Sequence, residues 1–155
     1  MIFRLGFTGP RTGMTSAQMR AVHSYLSYIL LVHDQDEGFV LEVHHGDCIG
    51  SDFAFHVIAT VLRCRTVAHP PSSPGKRAWC QADEIRPEKD YLLRDWDIAR
   101  EADELLATPQ APHHPGGSSG TWTTIGYAAQ LNRPVTLLLP DGRRAGVPFV
   151  PARLP

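Results

Sequence analysis

Three stretches of this chain combine glycine with hydroxyl and charged side chains: TGPRTGMT (8–15), HHGDCIGSD (44–52) and PGGSSGT (115–121). Each follows a short apolar run and precedes a segment of helical periodicity, so each feeds a helix N-terminus. Such a terminus carries unpaired N–H groups and the positive end of the helix dipole. It suits an anion, most often phosphate. Glycine lets the anion reach the backbone, where a Cβ would hold it off. Gly116, Gly117, Ser118, Ser119, Gly120 and Thr121 make the best such stretch, because its hydroxyls add donors. Arg11, Arg77 and Arg94 fall on the same side, and arginine suits bidentate phosphate contacts.

Carboxylates for acid–base work are available in Asp47, Asp52, Asp95 and Asp97. Acid–base catalysis needs a proton donor or acceptor held at the reacting atoms. Asp52 also opens a helix, where capping is the ordinary role of aspartate. Asp97 is spaced for an ion pair with Arg94 or Arg100. His44, His45 and Cys48, with His113 and His114, are of the residue types that hold a transition metal. Adjacent histidines point apart, and H-E-x-x-H and paired C-x-x-C spacings are absent, so neither a metal nor a cofactor is expected. His69 sits where the chain could close over a ligand, and solvent exposure is the equal alternative. There is no G-x-x-x-x-G-K-[ST] and no G-x-G-x-x-G after the first strand.

The elements that must position these groups follow from periodicity. IFRLGF (2–7) reads as a strand. Met19, Val22, Leu26, Ile29 and Leu30 then recur at helical spacing, with Thr15 and Gln18 as a capping box. A helix over 16–33 follows. FVLEV (39–43), 65–68, ELLATP (104–109) and PVTLLLP (134–140) read as further strands. Helices are expected between them, after 52, over 90–101 and over 120–131. The Pro-rich stretch 69–90 is too long for a plain connector and predicts a lid-like excursion with a helical turn near 77–83. Strands alternating with helices predict an α/β, Rossmann-like, doubly wound parallel sheet of about five strands in the order 3-2-1-4-5, with helices on both faces. Its ligand would sit outside the carboxyl ends of the strands, at the switch between strands 1 and 4. Residues 1–142 form the domain, and 143–155 read as an irregular tail.

The chain has 155 residues, enough for one core. Hydrophobic residues are 43% and charged residues 20%, which argues against disorder. No apolar run approaches the ~20 residues of a membrane span, and MIFRLGF is too short for a leader. Net charge is -1, and all but Lys76 and Lys89 of the 15 basic residues are arginine. With no Lys/Arg cluster, a nucleic-acid partner is not expected. Three widely spaced cysteines suggest a reducing cytoplasm.

GFTGPRTGMT, GDCIGSD and GGSSGTWTTIGYA, in that order, resemble the SLOG superfamily, which joins the DNA-processing protein DprA, the Lonely Guy enzymes and YpsA-like proteins. HPP (69–71), KRAWC (76–80), YLLRDWDIAREADELLATP (91–109) and RPVTLLLPDG (133–142) resemble a YpsA-like, phage- or bacterium-borne branch. The resemblance covers about residues 3–142 and implies a Rossmann-like domain that binds a nucleotide or nucleotide-derived ligand. By this resemblance Gly9 and Arg11 meet the ligand from the first loop. Gly46, Asp47, Gly50, Ser51 and Asp52 match the second loop, and Arg94 and Asp95 match an Arg-Asn pair facing the same site. Gly117, Gly120 and Thr121 match the phosphate loop, with Ser118 and Ser119 between them. The Lonely Guy helix continues Leu-Glu-Glu with a catalytic first Glu, whereas this chain continues Trp122-Thr123-Thr124.

The primary expectation is therefore a binding module, a sensor or sequestering protein. The alternative is a phosphoribohydrolase-like enzyme acting through a non-standard carboxylate, with Asp52, Asp97 and Arg94 as candidate catalytic residues. A homodimer or larger assembly is expected, with Trp122, Tyr127 and VPFV (147–150) offering apolar surface. Trp79 and Trp96 could stack on a base, and core packing is the preferred expectation for both.

Overall fold

A computed structural model describes residues 1–147. Strand β1 (Ile2–Thr8) leads into helix α1 (Ser16–Val32), followed by β2 (Val40–His45), α2 (Ser51–Val61) and β3 (Arg65–Ala68). A 3-10 turn at Pro74–Lys76 precedes β4 (Glu84–Ile85). Then come α3 (Tyr91–Glu101), β5 (Glu104–Ala107), α4 (Gly120–Gln130), β6 (Val135–Leu138) and β7 (Arg144–Gly146). The start of α1 is fixed by its capping box. Gln18 N–H donates to Thr15 Oγ1, and Thr15 N–H donates back to Gln18 Oε1, both at 3.0 Å.

The sheet order is β4-β3-β2-β1-β5-β6-β7, parallel throughout except for the antiparallel β6–β7 pair. Its centre, β3-β2-β1-β5-β6, has the order expected from the sequence. The count does not: seven strands are present, because both flanks add an edge. The 69–90 excursion returns to pair Val67 with Glu84 and Ala68 with Ile85. Its helical turn lies at 74–76, opened by Pro74, and not near 77–83. At the other edge Gly142, with φ +86°, turns the chain so that 144–146 pair with β6. That part of the expected irregular tail is a strand; residues 148–155 lie outside the described residues. His44 and His45 also belong to β2 and not to the loop after it.

Alternation along the strands divides the core. Leu5 and Phe7 of β1 face α1 and α2, with Val22, Leu26, Val43 and Phe55. On the other face Leu105, Ala107 and Leu137 pack against Ile98 and Ala99 of α3 and Ile125 and Ala128 of α4. Gly6 lets α3 lie directly on β1: a Cβ there would stand 3.0 Å from Ala102 Cβ and 3.2 Å from Ile98 Cγ2.

Buried Gln18 ties the carboxyl ends of β5 and β6 to α1. Its Nε2 donates to Pro109 O and Leu138 O, each at 2.9 Å. Leaving two buried carbonyls unpaired costs more than the bonds themselves contribute. Gln18→Ala should lower the unfolding free energy by about 2–3 kcal/mol, read as a lower urea midpoint with unchanged m-value.

Candidate functional site

The carboxyl ends of β1, β2 and β5 meet at the point where strand order reverses, between β1 and β5. Three loops leave this edge, and they interlock. Gly9 lies where a Cβ would strike the Thr108 hydroxyl and come within 2.6 Å of Ser51 Cβ. Ser51 Oγ donates to Pro10 O at 2.6 Å. Gly50, at φ +89°, seats against the Arg11 carbonyl with no room for a side chain. Gln110 Nε2 donates to Thr12 Oγ1 at 2.6 Å, bridging the first and last loops. Beneath them Thr108 Oγ1 is buried without a hydrogen-bond partner among the described residues.

The loop after β2 is closed on itself. Arg94 reaches in from α3, and its Nη1 donates to Gly46 O and approaches Cys48 Sγ at 3.4 Å. A side chain at residue 46 would collide with that guanidinium. Asp47 is wholly buried. It accepts from Arg77 Nε at 2.7 Å and from Cys80 N–H at 2.8 Å, so its carboxylate anchors the 69–90 excursion. Ser51 is likewise buried, and Asp52 Oδ2 accepts from Cys48 N–H at 3.2 Å. The loops at 9–13 and 110–120 differ: Arg11, Thr12 and nearly all of 110–118 and Gly120 are exposed. Ser119 caps α4 by accepting from Trp122 N–H at 3.4 Å, and Gly116 and Gly117 take φ +82° and +68°. The other first-turn N–H groups of α4 have no intrahelical acceptor, and no acidic side chain occupies that turn.

One buried cation serves two buried carboxyls here. Burial works against the Arg94 charge, but Asp95, Cys48 and Asp52 more than restore it. Arg94 Nε lies 3.0 Å from Asp95 Oδ1 in poor hydrogen-bond geometry, so that nitrogen is unpaired. Burial pushes the Asp52 carboxyl up to about 7, against the pull of Arg94 and the Cys48 N–H. Burial raises Asp95 to about 6, with Arg94 and the Thr124 hydroxyl opposing. Asp97 stands one turn further along α3, in an ion pair with Lys89 Nζ at 2.5 Å and Arg100 Nη2 at 3.4 Å.

The histidines sort by strand face. His44 Nε2 lies 2.9 Å from Glu42 Oε1, and His44 Nδ1 lies 2.9 Å from His69 Nε2. Burial acts to raise the Glu42 carboxyl, yet His44, Arg4 and Arg65 outweigh it and hold it low. Glu42 is thus an acceptor. His44 donates from Nε2, and its Nδ1 accepts from His69. On the opposite face Asp47 N–H donates to His45 Nδ1 at 3.0 Å, and His45 Nε2 donates to His56 Nδ1 at 3.1 Å. Burial holds His45 and His69 down to about 3. His113 and His114 stay apart in the exposed last loop, where His114 Nδ1 accepts from Gly116 N–H at 2.9 Å. The grouping of His44, His45 and Cys48 with His113 and His114 is therefore replaced by two separate buried sets. His69 is buried and does not close over the loops. Sequence reading missed Glu42, His56, Glu101 and Thr108. The i, i+2 spacing of Glu42 and His44 on a strand was the available signal for the first.

Core packing, expected for both Trp79 and Trp96, fails for Trp79, which is 60% exposed. Arg77 stacks over the exposed Trp79 ring at 3.9 Å, and Trp96 meets Tyr127 edge-on at 5.2 Å. A depression lies at the opposite edge of the sheet, lined by Leu30, Phe39, Cys64, Arg65 and Asp83, away from the glycine loops.

The raised Asp52 carboxyl has a pH signature. Its folded value lies above its unfolded one, so the folded state holds the extra proton between about pH 4 and 7, and stability is lost as pH rises through that window. Asp52→Asn removes this dependence. Relative to the variant, the wild type should lose stability between pH 5 and 7 by roughly 1 kcal/mol per pH unit, measured by urea unfolding of both proteins.

No protein-family model matches the chain, and no curated sequence does. Similar folds occur among solved structures. The molybdenum cofactor binding protein from the phototrophic bacterium Rippkaea orientalis superposes with a TM-score of 0.67 at 17% identity, over 90% of this chain and 77% of that one. The structural-genomics target TM1055 superposes with a TM-score of 0.59 at 18% identity, over 86% of this chain and 72% of that one. The chain therefore has an α/β, Rossmann-like fold of the kind these two proteins share.

Proposed function

We propose that the chain binds a nucleotide or nucleotide-derived ligand across the β1/β5 crevice, as a sensor or sequestering module of the SLOG superfamily. The observation that carries this reading is the uncovered N-terminus of α4. Gly116, Gly117, Ser118, Ser119 and Gly120 lead into its first turn, and the exposed Arg11 belongs to the first loop, which Gln110 and Thr12 bridge to this one. A phosphate there gains N–H donors and the helix dipole, and an arginine can clamp it. Thr108 supplies an unpaired hydroxyl at the floor. Gly9, Gly46, Gly50, Ser51, Asp47 and Asp95 serve this reading as the scaffold that sets the loops, and Thr121 anchors the helix. The molybdenum cofactor binding protein among the similar structures is named for a cofactor ligand, which fits a ligand at this edge.

A second reading, N-glycosidic hydrolysis, is favoured by one observation: Asp52 is a buried carboxyl pushed to about 7 beside Arg94. Such a group can both give and take a proton near neutrality. Asp97, engaged by Lys89 and Arg100, is less available for that role.

No helix among the described residues is long and apolar enough to cross a membrane. Three free, buried thiols fit a reducing cytoplasm. A homodimer is favoured by the outer face of α2. Ile49, Phe53, Val57 and Val61 form an exposed apolar row at four-residue spacing. Trp122, Tyr127 and Val147 are instead packed on the second core, and residues 148–150 of the apolar tail lie outside the described residues. Light scattering should give twice the monomer mass, and Phe53→Glu should give the monomer. A wild type that stays monomeric at high concentration contradicts the assembly.

The ligand reading is tested by melting curves with AMP, GMP, ADP, ATP, NAD and ADP-ribose. A ligand at 100 times its Kd adds about 2.7 kcal/mol, several degrees of Tm. Gly120→Asp puts a carboxylate at the open helix end, which suits the dipole but repels an anion. The variant should melt no lower than wild type and lose the ligand shift. A flat panel, or an unchanged shift in the variant, goes against the proposal. With a binding nucleotide in hand, base release that Asp52→Asn abolishes while binding persists would select the hydrolase.

A further inference from the structure

We propose that His44, His69 and Glu101 form a binding site for a divalent first-row transition-metal ion on the α3 face of the sheet, independent of the nucleotide reading. The three side chains come from β2, from the residue after β3 and from the last turn of α3. One ligand atom from each of His44, His69 and Glu101 lies within 4.8 Å of the other two. His44 Nδ1 is 2.9 Å from His69 Nε2 and 3.7 Å from Glu101 Oε2. Ligand bonds of about 2.1 Å set neighbouring donor atoms ~3 Å apart at right angles and ~3.4 Å apart in a tetrahedron. The cluster is therefore close to ligand spacing before any ion enters.

The groups behind these donors carry the argument further. His44 Nε2 donates to Glu42, the carboxylate–histidine arrangement that fixes a ligating imidazole and raises its basicity. Glu42 is in turn held by Arg4 Nε at 3.2 Å and Arg65 Nε at 3.0 Å. Glu101 is held by Arg86 Nη2 at 2.7 Å. His44 Nδ1 thus presents a lone pair to the site. His69 needs only to shift its proton from Nε2 to Nδ1 to present another, so metal entry requires no net proton loss from the imidazoles. Two imidazoles and one carboxylate suit zinc, iron, cobalt or nickel better than magnesium or calcium, and three protein ligands leave an open position.

The other buried set, His45, His56 and Cys80, satisfies the same proximity test but fails chemically. His45 Nδ1 already accepts the Asp47 N–H. Coordination through Nε2 would strip its remaining proton and leave an imidazolate.

The test is a Co(II) titration of the full-length, chelator-stripped protein, followed optically, with Zn(II) as competitor. One equivalent should bind, with nitrogen–oxygen ligand-field bands and no thiolate-to-cobalt charge-transfer band. His69→Ala should weaken binding by 100-fold or more, and Glu42→Gln by ~10–100-fold. Cys80→Ser should leave it unchanged. Glu101→Gln alters a partly exposed side chain and guards against misfolding: Zn(II) should raise the melting midpoint of the wild type and not of this variant. Absence of stoichiometric uptake would overturn the site in favour of a metal-free hydrogen-bonded relay. Uptake that survives both His69→Ala and Glu101→Gln would also overturn it. So would a charge-transfer band that Cys80→Ser removes.

Discussion

The edge of the sheet is organised around one buried guanidinium. Arg94 sits between the Gly46 carbonyl, Cys48 and the carboxyls of Asp52 and Asp95. A buried charge is tolerable only when paired, and here one cation compensates two acids incompletely. The imbalance appears as two carboxyls held well above the usual range, and not as a missing charge. Removing the guanidinium would leave both acids in an apolar setting, with Gly46 facing a cavity. The glycine at 46 and the arginine at 94 are therefore one feature, contributed by segments far apart in the chain.

Internal pairing also decides which glycine loop stays open. The second and third loops carry the same kind of sequence signal, glycines with hydroxyls ahead of a helix. The second is consumed by internal partners: Pro10 takes the Ser51 hydrogen bonds, Asp52 takes the Cys48 N–H, and Arg77 takes Asp47. Among the described residues the N–H groups of the third find side-chain acceptors only in Ser119 and His114, and its helix end faces solvent. Anion capacity depends on what remains unpaired, so two similar motifs end with different capacities.

Strand β2 shows how period-two alternation separates chemistry. Glu42, His44 and Gly46 face α3, whereas Val43 and His45 face α2. Two histidines adjacent in sequence therefore belong to two unrelated clusters, one resting on a carboxylate and the other accepting a backbone N–H. The tautomer of each is set by that neighbour, and the tautomer in turn sets which ring nitrogen is free. Only the first presents a lone pair to other ligating side chains.

The sequence by itself determined the alternation of strands and helices, the order of the five central strands and the start of α1. The elements follow from hydrophobic period, capping residues and glycine or proline stops, all of which act within a few residues, and the strand order follows from the handedness of crossovers between alternating strands and helices. It also marked the three glycine loops and the edge they share. The two edge strands were not legible, because β4 and β7 are too short to show a period and form only by pairing with β3 and β6. The burial of Asp47, the pairing of Arg94 with Gly46, the partition of the histidines and the unpaired Thr108 hydroxyl were decided by tertiary structure. Each depends on a side chain arriving from another element across a distance the local pattern does not encode. In a low-dielectric interior that arrival decides which polar groups are satisfied and which remain free to act.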